Sequence, residues 1–240
     1  MSNETIFITG ATGNVGNRVA RILLEQGATV KVGVRSPAKA AKLAELGAEV
    51  VAFDYNDVPS MTEALSGSSR LFLLTPFIEF SAPLVERAVA AAKEAGVGFL
   101  LKMSAIGADP EGPFALARDH GSAEQVVQTA SAWTIIRPSF FMSNAILYQA
   151  AAIKATGSFY GAAEEGQYSM ISPEDIAAVA AAILQNPTAH QGQTYTLTGG
   201  QALTEAEVAT AITQVSGRAV SYVNLTPEAL GAALAEQGTP

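Results

Sequence analysis

Short apolar runs alternate with stretches of helical periodicity from the N-terminus to Arg137, and this rhythm narrows the possible folds more than any other feature of the chain. Ile6–Ile8, Thr29–Val34, Glu49–Phe53, Arg70–Thr75, Phe99–Ser104 and Trp133–Arg137 read as strands. Between them, helical patterns start near Val15, Ser36, Pro59, Ser81 and Phe114. Strands separated by helices of this length form right-handed βαβ units and an open parallel sheet. The Arg70–Thr75 run is nearly all apolar, as expected of a strand covered on both faces. The expected fold class is therefore α/β, with a doubly wound parallel sheet. Beyond Pro138 the rhythm loosens. A helix is expected over Phe141–Ala155 and a loop with a short strand over Gly157–Gly166. Helices are expected again from Ser172 to Leu184, from Thr204 and from Thr226, with strands at Thr194–Leu197 and Ala219–Val223. This divides the chain into a core over 1–140 and a smaller lobe over 141–240, interleaved with the end of the core sheet.

The first strand feeds Gly10, Ala11, Thr12, Gly13, Asn14, Val15 and Gly16, a GxxGxxG turn that opens the first helix. Backbone N–H groups at such a helix start point toward an anion, and the helix dipole favours negative charge there. The turn is a candidate pyrophosphate cradle, although three glycines alone also fit an ordinary strand–turn–helix. At the end of the second strand, an acidic residue would bond the ribose 2′-OH of NAD, whereas arginine accommodates the 2′-phosphate of NADP. Here stands Arg35, with Ser36 and Lys39 close by and no carboxylate in Val34-Arg35-Ser36. NADP(H) is favoured over NAD(H); the alternative is that Arg35 is a solvated loop charge.

Ligands of such sheets bind at the carboxyl ends of the strands. Asp54 is placed to reach the adenine amino group or to serve as a turn residue. Thr75, Pro76 and Phe77 would lie beside the ribose or pyrophosphate. Ser104 ends the fifth strand on the same edge, and Pro138 and Phe140 follow the sixth, at the nicotinamide end. Phe77, Phe141 and Met142 are candidates for an apolar acceptor pocket, with Phe140 beside them, although aromatics serve a core equally well.

Thr9–Gly16, Val34–Pro37, Phe53–Tyr55, Ser104–Ala108, Ala117–Glu124 and Ile136–Met142 together resemble the NmrA-like branch of the atypical short-chain dehydrogenase/reductases. That group includes triphenylmethane, quinone and azo-dye reductases. The resemblance runs from the first strand to about Val223. It implies a Rossmann core that binds NADP(H), a small substrate lobe, and hydride transfer to a quinone or dye-like acceptor. Ordinary members of the superfamily use a Tyr-x-x-x-Lys pair, and none of the six tyrosines here has lysine four residues later. Leu116 and His120 occupy the corresponding positions. Losing that pair speaks against alcohol oxidation and sugar epimerisation, which need a positioned base. It suits an acceptor that takes hydride readily, for which alignment and exclusion of water do most of the work. His120 and Ser104 are the candidate catalytic residues, because an ordinary imidazole near pKa 6.5 can supply a proton. The alternative makes His120 a structural residue bonded to Glu124, one turn on. Two classes of function remain open: a reductase, or a non-catalytic NADP(H)-binding sensor that regulates a partner protein. The resembled family usually continues with further helices over the cleft, so a more open acceptor site is expected of a sequence that ends at Pro240.

With 49% hydrophobic and 15% charged residues, the chain can bury a sizeable core. A net charge of −8 argues against a nucleic-acid surface. No apolar run approaches transmembrane length, and no basic leader precedes the first strand, so a cytoplasmic protein is expected. Cysteine is absent and only two histidines occur, which disfavours a thiolate or histidine metal site. No GxSxG elbow is present for a serine hydrolase. The helix over Ser81–Ala95, rich in alanine and valine, is a candidate surface for a homodimer.

Overall fold

Alternation of apolar strands with one-sided helices is realised in a computed structural model that describes residues 4–76 and 81–236. In chain order the elements begin with β1 Thr5–Thr9, α1 Asn14–Glu25, β2 Thr29–Val34, a 3-10 turn Pro37–Ala40, α2 Ala41–Glu45 and β3 Glu49–Ala52. Then come α3 Val58–Leu65, β4 Arg70–Leu73, α4 Ala82–Glu94, β5 Phe99–Met103, α5 Ala115–Val127 and β6 Trp133–Pro138. The remainder comprises α6 Met142–Leu147, α7 Ala150–Thr156, β7 Ser158–Gly161, α8 Pro173–Gln185, β8 Gln193–Leu197, α9 Glu205–Ser216, β9 Ser221–Asn224 and α10 Pro227–Glu236.

Residues 1–139 and 173–197 form one unit; 140–172 and 198–240 form the second. The first contains a seven-stranded sheet of order β3-β2-β1-β4-β5-β6-β8, parallel throughout. The expected Rossmann-like architecture is thus observed, and its strand order reverses direction between β1 and β4. Successive side chains of a strand point to opposite faces, so Phe7 joins Phe53, Met61, Leu71, Val85, Leu100 and Ile135 in the core under α3, α4 and α5. Ile6 and Ile8 face the other layer, where α1 packs against α8. There Val15, Val19 and Leu23 are buried from α1, and Ile176, Ala180 and Leu184 from α8. Gly33 has a steric task in β2: a Cβ there would lie 2.7 Å from the Phe7 ring. The apolar face of α4 (Leu84, Val85, Ala88, Val89, Ala91, Ala92) is buried within its own unit.

The second unit pairs β7 with β9 in parallel over a small core of Phe159, Met170, Val208 and Ala209. Helix α9, expected from Thr204, begins with a capping box: Glu207 N–H donates to Thr204 Oγ1 at 3.2 Å, and Thr204 N–H donates to Glu207 Oε2 at 2.8 Å.

Several boundaries differ from expectation for identifiable reasons. The helix expected over Phe141–Ala155 breaks into α6 and α7 at Tyr148-Gln149, where the Gln149 side-chain amide donates to Tyr160 O at 3.3 Å. The helix expected from Ser36 starts as a 3-10 turn and becomes α-helical only at Ala41. Strand β4 stops at Leu73 rather than Thr75, because the Thr9 hydroxyl takes the Leu74 N–H at 2.7 Å. Strand β9 starts at Ser221 rather than Ala219, since Val220 N–H donates to Thr213 Oγ1 at 2.9 Å. Among the described residues, no helix is long and apolar enough to cross a membrane.

Candidate active site

The glycine turn lies where the sheet order reverses, the place where ligands enter open α/β sheets. Gly10 adopts φ +62°, and Gly13 N–H closes the turn onto Gly10 O at 2.9 Å. A Cβ on Gly16 would stand 2.4 Å from Gly10 O, and one on Gly10 would stand 3.0 Å from Leu74 Cβ. The chain is therefore pressed against the end of β4 with no room for side chains. Buried Thr9 fixes this edge: its hydroxyl lies 3.0 Å from Leu74 O as well as accepting the Leu74 N–H. Gly13 is the N-cap of α1 and offers no side chain, so no side-chain cap closes the first turn of the helix. That combination of close backbone approach and an open helix start fits a diphosphate. Ala11 and Val15 are buried beneath the turn, whereas Thr12, Gly13 and Asn14 are exposed. Arg18 binds the Asn14 carbonyl at 2.7 Å and pairs with Glu174 of α8 at 2.6 Å, holding the start of α1 in place.

Arg35, Ser36 and Lys39 are all exposed at the end of β2, and no carboxylate pairs with Arg35 among the described residues. A guanidinium in that setting fits a phosphate, which it meets with a fork of donors. Asp54 is exposed after β3 and accepts Asn56 N–H at 2.9 Å, so it does act as a turn residue. Thr75 is half-buried and Pro76 exposed, just past β4. Phe77 lies outside the described residues.

The largest difference from expectation concerns Ser104 and His120. Ser104 is buried and donates to Glu124 Oε1 at 2.5 Å. Glu124 also receives Arg137 from β6 at both oxygens, with Nε at 2.9 Å from Oε1 and a terminal nitrogen at 2.5 Å from Oε2. One carboxylate of α5 thus ties the ends of β5 and β6 together. Lys102 of β5 is fully buried, donates to Met103 O, and has its pKa lowered to about 8 by burial, against the charges of Glu124 and Asp119. Asp119 in turn caps α4, accepting Ser81 N–H at 2.7 Å and Ala82 N–H at 3.0 Å.

His120 sits in this cluster without the expected bond to Glu124. Its Nδ1 is buried and has no hydrogen-bond partner. Burial first, and the Lys102 charge second, push its pKa down to about 4. The imidazole is therefore neutral near pH 7, which corrects the expectation of an ordinary titration near 6.5. Lys102 and Asp119 join this cluster beyond the expected site residues, although a lysine inside the apolar run Phe99-Leu100-Leu101-Lys102-Met103 is a visible signal of a buried partner. Pro138 is buried at the end of β6. In the second unit Phe140 is 42% exposed and Met142 43%, while Phe141 is half-buried and bridges to Ile171.

Residues 10–187 match the family described as NAD(P)H-binding. An NAD(P)H azoreductase from Xenophilus azovorans is 39% identical, over 98% of this chain and 82% of that protein. The structure of an NADPH-dependent quinone oxidoreductase from Escherichia coli, complexed with NADPH, superposes with a TM-score of 0.87 at 34% identity, covering 98% of this chain and 83% of the other. That of the Citrobacter triphenylmethane reductase complexed with NADP(H) gives 0.85 at 26% identity, covering 98% and 84%. The resemblance to the NmrA-like reductases read from the sequence holds. With its glycine turn at the start of the matched stretch and relatives that align over nearly its whole length, the chain belongs to the NAD(P)H-binding family.

Proposed function

We propose that this NAD(P)H-dependent reductase draws on NADPH in preference to NADH and passes hydride to a quinonoid or dye-like aromatic acceptor without a Tyr-Lys pair. The observation that carries the reading is the close-packed glycine turn at the reversal of the sheet, followed one strand later by an arginine with no carboxylate partner among the described residues. Gly10 to Gly16 hold the diphosphate on backbone N–H groups. Arg35, assisted by Ser36 and Lys39, takes the 2′-phosphate. Asp54 lies toward the adenine, Thr75 and Pro76 toward the ribose, and Ser104, Pro138 and Phe140 toward the nicotinamide. Phe141 and Met142 contribute apolar contacts to the acceptor. The nicotinamide, when bound, supplies the hydride.

The protein's own groups then have little proton chemistry to perform. The Ser104 hydroxyl hydrogen is committed to Glu124, and His120 is neutral near pH 7. Both serve as positioning groups on the carboxyl edge, and solvent provides the proton that a reduced quinonoid acceptor gains. This is consistent with catalysis by alignment and exclusion of water.

Mixing the purified protein with NADPH or NADH and a panel of quinones and azo or triarylmethane dyes, while following nicotinamide absorbance, tests the reading. Acceptor-dependent consumption, faster with NADPH, is expected. Tight NADPH binding with no consumption by any acceptor would overturn it in favour of the sensor.

A further inference from the structure

We propose that the second unit holds a binding site for a small flat aromatic cation, stacked among Phe140, Tyr148, Phe159 and Tyr168 with Glu205 as its counter-charge. The cavity measures about 290 Å³, and Glu205 is the only charged residue lining it among the described residues. That volume lies at the lower end of the roughly 300–1,000 Å³ typical of ligand pockets. It suits two or three fused rings rather than a dinucleotide.

The geometry favours positive charge. Phe140 and Tyr168 meet edge to face, with centroids 6.1 Å apart and planes at 80°. Aromatic faces carry negative quadrupole potential, and a cation within about 6 Å of a ring centroid is attracted to it. Tyr168 donates its hydroxyl to Glu205 Oε1 at 2.8 Å, which fixes the carboxylate at the wall. Burial, and then that acceptor, raise the Tyr168 pKa, so the phenol stays neutral and the site carries a single negative charge. Tyr148 is 68% exposed at the pocket, an apolar ring left in water until a ligand covers it. A neutral quinone would gain the stacking but not the charge.

The consequence for acceptor choice rests on the reductase reading, whereas occupancy of the pocket does not. The test therefore uses the full chain without nicotinamide. Fluorescence titrations would compare N-methylacridinium with acridine, at mildly alkaline pH where acridine is uncharged. The two probes share a shape and differ in charge. The cation is expected to bind roughly tenfold more tightly. Glu205→Gln should abolish the preference, Tyr148→Ala should weaken both probes, and Glu207→Gln, which lies outside the pocket, should leave the preference intact. Equal affinities in the wild type, a preference that survives Glu205→Gln, or one that Glu207→Gln removes as well would each overturn the site. NADPH titrations on the same preparations separate the two readings: loss of NADPH binding counts against the reductase alone, and loss of the cation preference counts against this pocket alone.

Discussion

At the scale of single residues, charge placement sets what is expected of cofactor choice and pH behaviour. Arg35 is exposed with no carboxylate partner among the described residues, so an incoming phosphate displaces no existing salt bridge. A charge-assisted hydrogen bond contributes about 1.5–3 kcal/mol. Arg35→Asp is accordingly expected to weaken NADPH by roughly 10- to 100-fold and to leave NADH nearly unchanged in calorimetric titrations. Equal losses for the two would remove the 2′-phosphate assignment. His120 gives the second prediction. Its folded pKa, about 4, lies below the ordinary 6.5, so the unfolded chain binds the extra proton first as pH falls. Stability is therefore lost progressively between those values, by about 1–3 kcal/mol for such a shift. Urea midpoints measured across that window should fall less steeply for His120→Gln than for the wild type. The turnover rate should show no step near pH 6.5 that His120→Gln removes, because His120 titrates well below that value.

Elements meet at two joints that can be tested separately. At the first, Gly16→Ala forces a Cβ to within 2.4 Å of Gly10 O, backbone that cannot yield without moving the turn. A cost of about 1–3 kcal/mol and a lower melting temperature are expected, with NADPH affinity falling alongside. At the second, Glu124 ties β5 to β6 through Ser104 and Arg137. Glu124→Gln keeps an acceptor for Ser104 but removes the charge facing Arg137. With the Arg137 side chain 30% exposed, water covers part of the loss, leaving about 1–3 kcal/mol in chemical denaturation. Local signals made the first joint legible in the sequence: an apolar strand, three glycines at a fixed spacing, then an amphipathic helix. The second joint was much less so. Ser104, Glu124 and Arg137 are far apart in the chain, and only the parallel pairing of β5 with β6 brings them together. The strands of the core and the capping box at Thr204 are equally open to local reading. The break at Tyr148-Gln149 was not, because no glycine or proline marks it.

For the molecule as a whole, the first unit is not a continuous stretch of chain. Strand β8 pairs with β6, α8 covers α1, and Arg70 of β4 donates to Leu184 O of α8 at 2.5 Å. A fragment ending at Ser139 lacks all of these. It is expected to be insoluble or to melt without a cooperative transition; a monomeric fragment with a sharp thermal transition by circular dichroism would contradict this. The same layout bears on synthesis. A ribosome completes β6 at Pro138 and must add the residues up to Gln193 before β8 begins, a delay of roughly 3–10 s at common elongation rates. Throughout that interval the nascent chain presents an unpaired row of amides along β6, the kind of border that recruits other chains. Slower translation between codons 139 and 192 is therefore expected to lengthen that exposure and to lower the share of newly made protein that reaches its folded form.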